Sequence, residues 1–229
     1  MPVLLEIRNA ARRHPDEPRW LLDHVSLALE TADRVAVNGP SGAGKTLLLR
    51  ALAQLDPLDQ GCVYWRGRHV RSVGIPGFRS AVVYLHQRAA LFGAPPLGDT
   101  VEGALRWPLT LAAHRGQSFD RQRLIALLDQ LDRPPGFLDQ PISGLSGGEM
   151  QIVALLRAVQ LDPTVLLLDE PTAAIDPTAA EAVERLVDRW WSEAPQQRAM
   201  IWVTHDASQA QRIAKRTLRM EGGRLIHGE

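Results

Sequence analysis

The sequence predicts an α/β fold with a mostly parallel central sheet, an N-terminal antiparallel β subdomain and an inserted α-helical subdomain. Three observations predict the parallel sheet and the insertion. Apolar strand-like runs alternate with helical ones along most of the chain, the order that lays parallel strands beneath covering helices. The stretch GPSGAGKT, residues 39–46, follows a predicted strand and opens a predicted helix. Residues 88–144 break the alternation, with Pro95, Pro96, Pro108, Pro134, Pro135 and Pro141 punctuating two helical stretches.

Taken in order, VLLEIR (3–8) and VSLALE (25–30) read as strands, with a loop holding Pro15 and Pro18 between them. RVAVNG (34–39) is a strand running into the glycine-rich loop, and 45–55 is an apolar helix ending near Asp56-Pro57. CVYWRGRHV (62–70) reads as a hairpin turning at Gly67, and AVVYLHQ (81–87) as a strand. Helices are expected over 99–113 and 119–131. GEMQIVALLRAVQL is then helix and TVLLLDE strand. DPTAAEAVERLVDRWW is helix, with Asp176 as N-cap and Pro177 in the first turn. AMIWVTH is strand, DASQAQRIAK helix and TLRMEGGRLIHG a closing hairpin.

The 229 residues suffice to bury a substantial core. With 45% hydrophobic and 23% charged residues, the composition is that of a globular protein. Lys+Arg and Asp+Glu both number 26, so the charge gives no footprint for nucleic acid, and none is expected as a partner. The lone Cys62 cannot form an internal disulfide and has no Cys/His cluster nearby. Charges interrupt the N-terminus too early for a signal peptide, and no apolar run is long enough to span a bilayer. The chain is expected to be cytoplasmic, with any membrane role arising through a partner.

GPSGAGKT fits the spacing G-x-x-x-x-G-K-[ST] in the context that gives it meaning. Gly39, Pro40, Ser41, Gly42, Ala43 and Gly44 form the expected phosphate loop, and Lys45, Thr46 and Leu47 open the helix behind it. Backbone N–H groups of such a loop close around phosphate oxygens, and the helix N-terminus adds partial positive charge. Lys45 is expected to reach the β- and γ-phosphates of ATP, and the Thr46 hydroxyl to bind Mg²⁺. VLLLDE (165–170) supplies the other half: Asp169 for the Mg²⁺ shell and Glu170 to polarise an attacking water. Gln87 and His205 sit at predicted C-terminal strand ends, the sheet edge where ligands bind in open α/β folds. His205 is expected on the γ-phosphate, Gln87 on Mg²⁺ or its water.

A second Ser-Gly-Gly, within LSGGEMQ (145–151), also opens a helix. Ser146 and Glu149 form a capping box, which accounts for those two residues. It does not account for Gly147 and Gly148, since glycine weakens a first turn. Two glycines there suit a phosphate approaching the backbone. One loop already serves one nucleotide, so this helix start is expected to serve the nucleotide of another chain. The expectation is a head-to-tail homodimer with two ATP molecules between subunits.

Together these residues resemble the ATP-binding subunits of ABC transporters over nearly the whole chain. GPSGAGKT resembles the Walker A loop, VLLLDE the Walker B strand, Gln87 the Q-loop residue and LSGGEMQ the signature. AAID (173–176), with Asp176, resembles the D-loop, and His205 the switch histidine. The resemblance implies a P-loop NTPase fold and a single ATPase domain over 1–229. In that domain, 1–87 and 145–229 form the ATP-binding core and 88–144 the helical subdomain. It also implies ATP-driven dimers that energise transport through an integral membrane permease. The permease would dock near Gln87 and the 88–144 subdomain, placing the chain peripherally on the inner face of the cell membrane. Three departures stand out. The adenine-stacking position falls near His14, with Trp20 as the alternative; AAID stands where SALD is commoner; Glu149 replaces the commoner Gln. The stretches 90–111 and IWVTHD are similar to small bacterial ATPases of the iron-export type. The competing reading is a soluble ABC-type ATPase without a transport role, such as one for iron–sulfur cluster assembly. A non-hydrolysing module is disfavoured by the presence of Glu170 and His205.

Overall fold

The structure, a computed structural model, describes residues 1–89 and 97–227. Pro95, Pro96 and the head of the 90–111 stretch lie outside the described residues. The chain packs as two units. One comprises Met1–Tyr84, Thr164–Glu170 and Ala194–Glu229; the other comprises Leu85–Pro163 and Pro171–Glu193.

The first unit is built on two sheets. Strands β1 (Val3–Arg13), β2 (Trp20–Glu30), β4 (Gln60–Trp65) and β5 (Arg68–His69) form an antiparallel sheet in the order β2-β1-β4-β5. The other sheet contains β3 (Arg34–Asn38), β6 (Val82–Leu85), β7 (Val165–Asp169), β8 (Ala199–Val203), β9 (Arg216–Glu221) and β10 (Arg224–His227). Its order is β10-β9-β3-β8-β7-β6. The central pairs β9–β3, β3–β8 and β8–β7 are parallel, and β10 closes an antiparallel edge. Every residue of β7 and β8 is buried, as expected of apolar runs in a parallel sheet covered on both faces. Leu48 and Leu49 of α1 (Lys45–Leu52) join Leu5, Ile7, Leu29, Val35, Leu167 and Ile201 in one core. Packing therefore holds the strand, loop and helix around residues 39–46 from both sides.

Several expected boundaries move. The expected loop between residues 8 and 25 is mostly strand, because β1 and β2 continue through bulges. At one of these Asn9 takes φ 49, and its amide is satisfied by the Ser26 hydroxyl at 2.9 Å. The strand expected over 81–87 ends at Leu85. Residues 71–80, given no element from sequence, belong with Val70 and Ala81, expected as strand, to two short helices, α2 (Val70–Val73) and α3 (Ile75–Ala81). The imidazole of His69 caps the first, and Pro76 lies in the opening turn of the second.

In the second unit the helix expected over 99–113 is cut short. The helix α4 (Val101–Arg106) gives way to 3-10 turns over Trp107–Thr110 and Ala112–His114. Pro108 has no N–H to continue the α ladder. The helix expected over 119–131 is α5 (Arg121–Asp129), capped by Asp120. The helix α6 (Gly147–Val159) follows the signature serine, and α7 (Pro177–Glu193) follows Asp176. Asp176 accepts from Ala179 N at 3.0 Å, so it caps α7 as expected. Ala182, Val183, Leu186, Val187 and Trp190 are buried along α7, one apolar stripe at helical spacing.

Candidate active site

In the first unit the phosphate loop joins β3 to α1 and is fixed by backbone crowding. Gly39 has φ 140 and Gly44 φ 103. A Cβ at Gly39 would stand 2.0 Å from the Met220 carbonyl oxygen, and one at Gly44 2.6 Å from that of Leu21. No other residue fits either position without moving backbone. Ala43 is buried; its N–H donates to Pro40 and its carbonyl accepts from Gly223. Pro40, Ser41, Gly42 and Thr46 are exposed, and Leu47 packs against the core. The Lys45 ammonium donates to the carbonyls of Gly39 at 2.7 Å and Pro40 at 2.9 Å. Burial pushes its pKa down, while the charges of Glu170 and Asp169 pull it back up.

Asp169 ends β7 with 1% of its surface exposed. Its Oδ2 accepts a hydrogen bond from the Tyr84 hydroxyl at 2.9 Å. Burial, then the Asp169 charge, raises the Tyr84 phenol well above the ordinary tyrosine range, so it stays a donor. Sequence reading did not single out Tyr84; the signal was a polar-tipped aromatic in an apolar strand. Glu170 follows in the left-handed region, at φ 48, its N–H donating to Val203 O at 3.1 Å. That turn sends its carboxylate to the Nε2 of His205. The His205 turn is tied on both sides. Thr204 N donates to Val37 O, and the Asp206 carboxylate caps α8 (Ala207–Ile213) through Ser208 N at 2.8 Å. Lys45, Asp169, Glu170 and His205 are thus brought together within one unit.

At the far end of the β1–β2 hairpin, Arg13 lies over the Trp20 ring at 4.7 Å. His14 Nδ1 accepts from Asp16 N at 3.2 Å, and its Nε2 is 3.7 Å from Glu17. Both residues anchor this hairpin end, and neither has a geometry that selects it as the adenine platform.

Gln87, Ser146, Gly147, Gly148 and Asp176 belong to the second unit. Ser146 caps α6 in a full capping box. Its Oγ accepts from Glu149 N at 3.3 Å, and its N–H and hydroxyl donate to Glu149 Oε2 at 2.9 and 2.8 Å. These bonds hold the Glu149 carboxyl below its ordinary pKa of 4.5. The two glycines differ. A Cβ at Gly147 would meet nothing, whereas one at Gly148 would stand 3.0 Å from the Ala174 carbonyl oxygen. The signature therefore packs against AAID in the same unit, and Gly148 has a packing reason that sequence did not reveal. Gln87 lies beyond the end of β6 with its side chain exposed.

The chemistry present fits a nucleoside triphosphate with a divalent cation. The glycine loop offers backbone amides and an ammonium to phosphate oxygens. Thr46 and Asp169 offer the hard oxygen donors that Mg²⁺ takes.

The family model described as ABC transporter matches residues 22–173. The chain is 37% identical over 224 residues to a sulfate/thiosulfate import ATP-binding protein of Cucumis sativus, covering 96% of this chain and 61% of that protein. It is 32% identical over 203 residues to a probable iron export ATP-binding protein of Escherichia coli, covering 89% of this chain and 85% of that one. The chain thus spans about three fifths of the length of the sulfate-import relative. Among solved structures, an ATP-binding cassette in a dimeric post-hydrolysis state with ADP and Pi superposes with a TM-score of 0.84. The two share 26% identity, over 99% of this chain and 98% of that one.

Proposed function

Because the chain belongs to the ABC transporter ATP-binding family, we propose that it hydrolyses ATP to ADP and phosphate and so energises transport through a separate membrane subunit. One observation carries this reading: the first unit holds a crowded glycine loop, a buried ammonium and two consecutive carboxylates, the second paired with a histidine.

The loop over 39–46 takes the phosphates. Lys45 exchanges two carbonyl partners for β- and γ-phosphate oxygens, keeping its buried charge solvated throughout. Thr46 and Asp169 hold Mg²⁺, with Gln87 assigned to the ion or its water on the family resemblance. When bound, Mg²⁺ neutralises charge on the phosphates. Tyr84 keeps Asp169 in one orientation by donating to it. Glu170 orients the attacking water and accepts its proton, and His205 leaves Glu170 to donate to the γ-phosphate. Ser146, Gly147 and Gly148 serve the nucleotide of a second copy of the chain, with Asp176 beside them at the start of α7. Two copies then enclose two ATP molecules, an arrangement supported by the dimeric state of the similar cassette.

Among the described residues no helix is long and apolar enough to cross a membrane. The membrane pathway is assigned to a permease that docks near Gln87 and residues 88–144 and holds the chain on the inner membrane face. The relatives' names include an importer and an exporter. Metal export is the finer reading we favour, since the iron-export relative is matched along most of its length.

The test has two parts. Phosphate release from MgATP by the purified chain, abolished in Glu170→Gln, supports the hydrolytic reading; equal turnover in both overturns the role of Glu170. The tagged chain is then isolated from gently solubilised membranes of its host. A co-purifying multi-span protein supports the transporter reading and is assayed for metal export. Soluble partners alone would replace it with the assembly-ATPase reading.

A further inference from the structure

Gln151, the last residue of LSGGEMQ, has no part in the site described above, yet it is the most deeply buried polar side chain of α6, with 2% of its surface exposed. Its Nε2 donates to the His86 carbonyl at 3.1 Å, and its Oε1 accepts from the Ala89 N–H at 3.2 Å. These two backbone groups bracket Gln87 and Arg88. Arg88 N in turn donates to His86 Nδ1 at 3.1 Å, closing the same short loop from within. We propose that Gln151 is a positioning residue for Gln87: it clamps the loop after β6 so that the exposed Gln87 side chain is presented from a fixed backbone. The inference rests on the role given above to Gln87.

The residue type follows from the loop. A primary amide carries one acceptor oxygen and one donor nitrogen in a single plane. The loop offers a carbonyl before Gln87 and an N–H after it, so one amide satisfies both. Glutamate keeps the acceptor and loses the donor; methionine keeps the shape and loses both bonds. Gln151 also stands in the second turn of α6, whose first turn carries Ser146, Gly147 and Gly148. The clamp therefore ties Gln87 to the same helix that presents the signature, and any displacement of α6 moves both.

The test compares steady-state MgATP hydrolysis by the full chain, Gln151→Met, Gln87→Ala and the double variant, together with amide exchange at Ala89. Gln151→Met is expected to lower kcat about tenfold, the scale of two lost hydrogen bonds, with KM for ATP unchanged. The double variant should fall no lower than Gln87→Ala alone, because residues acting through one group are not additive. Ala89 exchange should quicken. Should Gln151→Met fail to fold, Gln151→Glu, which keeps the acceptor, carries the same comparison. Wild-type kcat in the Gln151 variant beside an impaired Gln87→Ala overturns the clamp while sparing the role of Gln87. Losses that multiply in the double variant overturn it too, since they show independent damage. Full turnover in Gln87→Ala removes the role of Gln87 and the inference with it.

Discussion

The Ser146 hydroxyl is committed twice over to Glu149, as donor and as acceptor. A serine that is to donate to a phosphate must first release the carboxylate, and that carboxylate repels the incoming anion. Glu149→Gln is therefore expected to lower the ATP concentration at which two copies associate, read by light scattering against ATP. The same residue gives a pH dependence. Its folded pKa lies below the ordinary 4.5, so its contribution to stability is complete above 4.5 and is lost as pH falls through the folded value. The melting-temperature gap between parent and Glu149→Gln should narrow below pH 4.5 and hold steady above it. Lys45, Asp169, Glu170 and His205 were legible in sequence because each sits at a motif position whose local context is strand or helix end. Tyr84 was not. Its meaning depends on β6 lying beside β7, and strand order is a property of the fold rather than of any short stretch.

At the scale of one helix, the paired glycines that open α6 separate into different tasks. Gly148 is held by the nearby Ala174 carbonyl, and Gly147 faces open space. Gly148→Ala must push backbone, and should cost about 1 kcal/mol or more, as overpacking does. Gly147→Ala relieves a helix-weakening residue and should gain up to about 1 kcal/mol. If the first turn receives a phosphate, Gly147→Ala will at the same time weaken ATP-dependent association. Urea midpoints and association assays on the two variants separate packing from ligand access; unchanged association in Gly147→Ala would sink the ligand role at that position. The capping box was readable from Ser-x-x-Glu, but the division of labour was not, because the segment over Gly148 comes from residues 173–176. Elsewhere, the break after Arg106 follows from Pro108, a visible residue whose effect the helical periodicity of 99–113 masked. The two helices of 70–81 carry too short an apolar pattern to stand out from a loop.

For the molecule as a whole, the sequence disclosed the sheet because strand, turn and helix signals repeat in register with the motifs. It did not disclose how the chain divides, since the second unit takes α7 from well beyond the signature helix. Contacts between distant stretches, not composition shifts, set that division. The dimer is likewise a property of the whole molecule. Glu170→Gln should bind MgATP without consuming it, and should then elute as a dimer on a sizing column and return to monomer once ATP is removed. A monomer throughout, at saturating MgATP, would count against two nucleotides shared between copies. Glu170 carries one more consequence. Its backbone sits at φ 48, a conformation that asparagine or glycine adopts at less cost than glutamate. A duplicated gene released from the need for turnover would gain stability by drifting to either residue. On the proposed hydrolytic role, glutamate at 170 keeps a carboxylate where asparagine or glycine would hold the backbone more cheaply, so Glu170→Asn is expected to raise the melting temperature while abolishing phosphate release.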